Sequence, residues 1–201
     1  MGTLKVDNIQ TESGASVITN GTIPVSTLTN SNVGMIKLLS TSAGAAANFQ
    51  INNTYINSTY DNYHIDMGFL HATDNTGLNV TFLVGGSEVT ANYCYENAAG
   101  TSSTYGYDLV GGSNMQIGGA TGNATGETAR LTMTLSNVNS NTIATFIHGF
   151  HYGSDNGGNT VGRFFQAGQD VNSYSSVVNG IKFAPGAGNI TVSYFKLYGL
   201  T

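Results

Sequence analysis

The residues of this chain that could do chemistry are few, and they are widely spaced. Among its 201 residues the chain has one cysteine, Cys94, four histidines and eleven carboxylates. His148 and His151 are three positions apart, a spacing that on a β-strand puts the two side chains on opposite faces, so they do not predict a shared metal site. The loop from Asp155 to Asn159 has oxygen ligands of the kind that calcium binds, but it contains one carboxylate and no glutamate follows it. We therefore predict no metal site.

The motifs of the common enzyme classes are also missing from the sequence. It has no Gly-x-Ser-x-Gly elbow, no phosphate-binding glycine loop with lysine, no Cys-x-x-Cys pair and no His-Glu-x-x-His. The carboxylates are spread singly along the chain, and no base lies beside Cys94 in the sequence. We therefore predict that the chain is not an enzyme, that it has no catalytic residues and that it uses no cofactor.

The charge of the chain argues against two classes of partner. Only 8% of its residues are charged, six of them are basic, and the formal net charge is −5. Nucleic acids and anionic membranes both select clustered cations, so we predict neither as a partner. No apolar run approaches the roughly 18 residues that a membrane span requires. The N-terminus also lacks the charged and apolar regions of a signal peptide, so we expect no export by that route.

The elements that must position any functional residue are β-strands. Apolar and polar residues alternate from Tyr63 to Phe69 and again from Leu78 to Val84, with a turn-forming Asp-Asn-Thr-Gly segment between them. This pair predicts a hairpin. The same alternation predicts half-buried strands from Val89 to Tyr95 and from Leu131 to Leu135.

Further strands are predicted near residues 33–39, 49–56, 105–110, 161–165, 177–183 and 190–198. About ten strands separated by turn residues are typical of two packed antiparallel sheets. We therefore predict an all-β fold, an antiparallel and jelly-roll-like β-sandwich.

The segment from Thr142 to Tyr152 is apolar at both odd and even positions. Such a pattern suits a strand that is covered on both sides, by the opposing sheet and by a neighbouring subunit or loop. It is our predicted subunit interface, carried by four residues: Phe146, Ile147, Phe150 and Tyr152.

Residues 1–32 differ from the rest of the chain. Their apolar residues are sparse and are separated by Gly14, Gly21 and Pro24, so this segment cannot bury itself. We predict an extended N-terminal anchoring arm at 1–32 and a β-sandwich head at 33–201. The residues expected to anchor the arm to another chain are Leu4, Val6, Ile9, Val17 and Ile18.

The aromatic residues allow a second interpretation. Eleven Tyr and nine Phe, with no Trp, could form platforms on which neutral glycans stack. The alternation of Tyr93, Tyr95, Tyr105 and Tyr107 favours structural roles at a sandwich edge or an interface.

Several segments show a family resemblance. The opening Lys5 to Gln10, followed by Ser13-Gly14 and by the run from Val17 to Gly21, resembles the N-terminal arm of many tailed-bacteriophage virion-surface accessory proteins. The strand from Asn79 to Gly86 and the segment Tyr60 to Tyr63 also fit this family.

The C-terminal part resembles the same proteins. The segments Gly180 to Phe183 and Gly188 to Ile190, and the closing Phe195 to Leu200, look like the last hairpin of the family. The resemblance covers about a third of the chain, and it does not separate head decoration proteins from tail fibres.

The resemblance implies a homotrimeric β-sandwich located in the virion, with no catalytic residues. Because the chain is too short for a long shaft, we favour a capsid decoration or cement protein that binds the major capsid protein. A short tail fibre or receptor-binding protein, attached to a tail component, is the alternative, with a host surface glycan as a further partner. A free-standing carbohydrate-binding module is the alternative from another class.

Overall fold

The alternating sequence forms strands in the computed structural model, which describes residues 34–99, 105–124, 126–169 and 176–201. The part from Met35 to Leu200 makes one compact unit. Its thirteen described strands are β1 (Met35–Ala46), β2 (Phe49–Ile51), β3 (Asn62–His71), β4 (Leu78–Val84), β5 (Ser87–Glu88), β6 (Tyr93–Ala99), β7 (Tyr105–Gly112), β8 (Met115–Gln116), β9 (Ala129–Ser136), β10 (Phe146–Ser154), β11 (Thr160–Gln169), β12 (Gly180–Pro185) and β13 (Ile190–Leu200).

The strands form two sheets. The large sheet has eight strands in the order β1-β13-β3-β9-β10-β11-β6-β7, and the small sheet has the order β2-β12-β4-β5, with β8 also paired to β4. The pairings between these strands are antiparallel. The prediction of an all-β antiparallel β-sandwich is therefore confirmed. The described ranges contain no helix with the length and apolar character needed to cross a membrane.

The core lies between the sheets, where every second side chain of the central strands is buried. In β9, for example, Leu131, Met133 and Leu135 are buried while the alternate residues remain partly exposed, as a strand with one covered face requires. An aromatic contact joins the two sheets: the ring of Phe195 in β13 lies 4.9 Å from that of Phe49 in β2 and 6.2 Å from that of Phe183 in β12, measured between centroids. Burying one such side chain contributes roughly 1.5 to 3 kcal/mol.

The predicted hairpin between residues 63–69 and 78–84 is wrong. Both segments are strands, but β3 pairs with β13 and β9 in the large sheet, whereas β4 pairs with β12, β5 and β8 in the small sheet. The intervening turn carries the chain from one sheet to the other. Within it, Asn75 has a positive φ of 58°, a conformation that asparagine tolerates better than most residues.

The last two strands also differ from the expected hairpin. β12 pairs with β2 and β4 in the small sheet, and β13 pairs with β1 and β3 in the large sheet. The connection at residues 186–189 is a second corner between the sheets, and Gly188 adopts a positive φ of 70° there. The two corners therefore hold the sandwich together covalently at points where the sequence suggests simple hairpins.

The predicted strand from Val89 to Tyr95 is interrupted. Asn92 has a φ of 65°, which no regular strand accommodates, and β6 begins only at the next residue, Tyr93. Tyr93 is fully buried, and its hydroxyl donates to the carbonyl of Val89 at 2.9 Å and accepts from the amide of Phe82 at 2.8 Å. Burial is the main reason that the pKa of Tyr93 is raised.

The hydroxyl of buried Tyr63 allows a direct test of this packing. It donates to the carbonyl oxygen of Asn57 at 2.9 Å and accepts from the amide of the same residue at 3.0 Å. Tyr63→Phe leaves both backbone groups without this partner, so we expect the free energy of unfolding to fall by about 1 to 3 kcal/mol in urea denaturation. The matched control is Tyr198→Phe on the partly exposed outer face, with an expected change of less than about 0.5 kcal/mol. Equal effects in both variants would contradict the packing.

Candidate functional site

The outer face of the large sheet carries exposed aromatic rings. Phe146, Phe150 and Tyr152 alternate along β10, and Phe164 lies on the neighbouring strand β11; their exposed fractions are 44%, 56%, 45% and 42%. β10 and β11 are inner strands of the sheet rather than edges. We call these four residues the aromatic face.

The structure corrects one of the predicted interface residues. Ile147 is fully buried and belongs to the core between the sheets. The reason is its phase: in β10, Ile147 and His151 point inward, while the members of the aromatic face point outward. The predicted strand from Thr142 also begins later, at Phe146. Within the described residues, only one side of β10 is therefore covered.

The aromatic face is a packed unit. Phe150 and Phe164 are directly opposite each other in the antiparallel pair β10/β11, and their rings meet edge to face with centroids 5.3 Å apart. Direct cross-strand neighbours of this kind stabilise a sheet and hold each other's rotamers. The sequence prediction did not include Phe164. The apolar pattern of residues 161–165 was its only signal, and that pattern did not show which strand lies beside β10.

The exposed rings provide about as much apolar area as one subunit contact buries. An aromatic side chain has roughly 150 to 250 Å² of surface, so the four rings leave about 300 to 500 Å² of apolar area in water. A standard interface buries about 800 Å² per partner, slightly more than half of it apolar. The aromatic face is thus close to the apolar share of one such interface.

One flank of the aromatic face is polar and cationic. A single row of paired residues crosses four strands of the large sheet. It consists of Tyr152 in β10, Arg130 in β9, Gly68 in β3 and Tyr194 in β13. Arg130 is exposed, and its guanidinium lies 6.0 Å from the centre of the Tyr194 ring. A hydrogen bond with Tyr152 is the main reason that the pKa of Arg130 is raised. This row links the aromatic face to the other half of the sheet.

Tyr194 is held in place on this flank by two contacts. A Cβ at Gly68 would come within 2.4 Å of the Tyr194 ring, so the glycine permits the ring to lie across β3. The Tyr194 hydroxyl donates to the Asp66 carboxylate at 2.9 Å, and Lys196 lies 5.5 Å from the ring centre. Burial first and this hydrogen bond second raise the pKa of Tyr194.

The other flank is a groove of about 560 Å³ formed on β6, β10 and β11. Phe146 and Phe164 form apolar parts of its wall, together with the half-buried Cys94. Its polar groups include Glu96 and Gln166, whose side-chain amide donates to the carboxylate at 2.6 Å. The groove combines apolar walls with a few polar groups, as small-ligand sites do.

The remaining predicted residues fall into two groups. The carboxylate of Asp155 accepts hydrogen bonds from the amides of Gly157 and Asn159 at 2.9 and 2.8 Å, and these bonds close the turn from Asp155 to Asn159. A hydrogen bond from the side chain of Asn159 is the main reason that the pKa of Asp155 is lowered. In the part of the chain that the structure describes, no three His, Cys, Asp or Glu side chains are grouped so that they could hold a metal ion. The arm residues Leu4, Val6, Ile9, Val17 and Ile18 lie outside the described residues.

The two histidines of β10 lie as their spacing predicts: His148 is exposed on the outer face, and His151 is buried on the inner one. The cluster that His151 makes with His71 inside the sandwich was not predicted, because the two residues are far apart in sequence.

Comparison with known proteins does not place the chain in a family. No protein-family model matches the chain, and no curated protein is significantly similar to it.

Proposed function

We propose that the chain is a structural protein of a tailed-bacteriophage virion: a homotrimeric capsid decoration or cement protein that residues 1–32 anchor and whose β-sandwich head is displayed. The observation that carries this proposal is the aromatic face, four large rings exposed on inner strands of the large sheet. The largest apolar patch of a monomer often has about this size and is often functional, which supports an interaction site here.

Two features support self-association over binding to a charged partner. The face itself bears no charged side chain, and it lies between a cationic flank with Arg130 and an anionic flank with Glu96. A second copy can therefore place its anionic flank against the cationic flank of the first while their aromatic rings meet. The virion assignment is supported by the resemblance of residues 5–21 and of the C-terminal segments to phage accessory proteins.

Copy number per particle tests the assignment within the virion. A head decoration protein covers repeating capsid sites and should be present in hundreds of copies, whereas a short tail fibre or receptor-binding protein is present in tens or fewer. Quantitative mass spectrometry of purified particles, scaled to the major capsid protein, measures this number. A low count would replace the decoration role by the tail role, and absence of the chain from particles would overturn the proposal.

Deletion of residues 1–32 tests the anchoring role of the arm. We expect the remaining head to fold, with nearly unchanged circular dichroism, because the buried core lies within Met35 to Leu200. It should no longer bind particles that lack the native protein, since each Val or Ile that fills a pocket contributes roughly 1.5 to 3 kcal/mol. Full occupancy by the truncated head would instead locate the anchor in the sandwich.

A carbohydrate-binding module is the second candidate, and the groove on β6, β10 and β11 favours it. Aromatic walls beside the Glu96–Gln166 hydrogen bond could receive a neutral sugar ring. A glycan array probed with the full chain separates the candidates. Specific binding that is lost on Phe146→Ala, without any association with particles, would favour the carbohydrate-binding module.

A further inference from the structure

We propose that one end of the sandwich is an acid-sensitive latch, which opens when His71 and His151 are protonated and releases the segment 117–122, which covers His151 and pairs with the turn that follows His71. This property is independent of the proposed virion role and concerns the fold itself.

The two histidines form a buried cluster. His71 is the last residue of β3, His151 lies on the inward side of β10, and each is 1% exposed. The ring of Phe69 contacts both, with centroid distances of 5.2 Å to His71 and 5.8 Å to His151. Both imidazoles are thus buried beside the Phe69 ring.

The polar atoms of the cluster are incompletely paired. Nδ1 of His151 accepts a hydrogen bond from the amide of Gly119 at 3.2 Å, so the proton of the neutral ring is on Nε2. That Nε2, both ring nitrogens of His71 and the hydroxyl of Thr121 have no hydrogen-bond partner within the described structure. In the described structure, neither ring therefore donates a hydrogen bond to a protein acceptor that would stabilise a second proton.

The charges around the cluster also oppose protonation. Arg163 of β11 is paired directly opposite His151 in the strand register and shares its face of the sheet. The covering segment 117–122 has no ionisable side chain. Two acidic residues flank the covering segment and the turn it pairs with: Asp74 accepts from the amide of Asn75, and Glu127 accepts from the amide of Ala124. Neither carboxylate contributes to the pKa shift of either ring.

Burial lowers the pKa of His71 from 6.5 to about 4. The pKa of His151 is also lowered to about 4, first by burial and then by electrostatic interactions with His71 and with the Arg163 guanidinium. The opened state, in which the rings reach water, regains the ordinary pKa and binds protons more readily. The closed state is therefore fully stable above about pH 6.5 and loses stability as the pH falls towards 4.

The covering segment is tied down by backbone bonds whose loss can be measured. The Gly119 amide donates to His151, and a protonated His151 cannot accept this bond. Thr121 exchanges two backbone hydrogen bonds with Thr76, and the amide of Gly122 donates to the carbonyl of Ser154 at 2.8 Å. At the opposite end, the amide of Val138 donates to the carbonyl of Asp61 at 3.0 Å and serves as the reference.

Hydrogen exchange of the full chain at pH 8 and pH 5, corrected for the intrinsic rates, tests the latch. For each histidine we expect the opened fraction at Gly119, Thr121 and Gly122 to rise on the order of 30-fold between these pH values. The amide of Val138 should remain protected. Unchanged protection of the segment at pH 5, or an equal rise at Val138, would overturn the proposal.

Two variants test whether the buried histidine rings cause the pH dependence of the opening. His71→Phe keeps the ring volume but cannot be protonated, and it should remove one of the two 30-fold factors. The matched control is His148→Asn, which alters an exposed histidine of the same strand β10 and should leave the pH dependence intact. Full pH dependence in His71→Phe would overturn the proposal.

A measurement on the unaltered protein keeps the test independent of how the variants fold. The ring carbon resonances of His71 and His151, followed by NMR, should show both rings neutral in the folded state down to about pH 5. Titration of either ring near pH 6.5 while the protein remains folded would contradict the latch.

Discussion

Replacing Phe150 and Phe164 together with serine should convert the proposed homotrimer into folded monomers. The two rings meet edge to face and are exposed by 56% and 42%. Their removal therefore deletes the centre of the proposed interface while leaving the core intact. Central interface residues typically cost about 2 kcal/mol or more each on truncation, so the association constant of each contact should fall about 10³-fold.

The control for this variant is Val177→Ser, which removes another exposed apolar side chain from a position just before β12 of the small sheet. Its association should be unchanged. Sedimentation velocity over a concentration series compares the proteins, and circular dichroism confirms that each is folded. A double variant that assembles as tightly as the original chain would show that the aromatic face is not the subunit contact.

Replacing Phe195 with alanine should have the largest effect on folding. Its side chain is fully buried and contacts Phe49 and Phe183 of the opposite sheet. Truncation of a buried phenylalanine costs about 3 to 5 kcal/mol. That loss is a large part of the roughly 5 to 15 kcal/mol by which domains are stable. Chemical denaturation should therefore show a much lower midpoint.

Phe164→Ala is the matched variant, because it removes the same side chain from the exposed side of the same sheet. It should change the unfolding free energy of the monomer by less than about 1 kcal/mol while weakening association. The two variants thus separate folding from assembly. Similar stability losses in both would mean that the inner and outer faces of the large sheet are not as described.

The sequence allowed the strands to be predicted, and the reason is physical. Where one face of a strand is buried, apolar residues must recur at every second position, as they do in β3, β4 and β9. Alternation of this kind indicates which face of a strand is buried, but it does not indicate which strand pairs with it. The partners of β4, which lie in the small sheet, could therefore not be predicted from its pattern.

The candidate site was predicted only in part, for a related reason. Phe146, Phe150 and Tyr152 belong to one phase of β10, but the segment is apolar in both phases, so Ile147 was assigned to the same surface. Phe164 completes that surface only because β11 pairs with β10. The cluster of His71 and His151 likewise depends on contacts between residues distant in sequence, which local patterns do not show.

The molar mass of the full chain in solution decides whether other copies of the chain cover the aromatic face, as the proposed homotrimer requires. Light scattering coupled to size exclusion, at micromolar concentration and neutral pH, should return three times the chain mass of 20.9 kDa. A stable species of 20.9 kDa would contradict the proposed homotrimer, since no second copy would then cover the aromatic face.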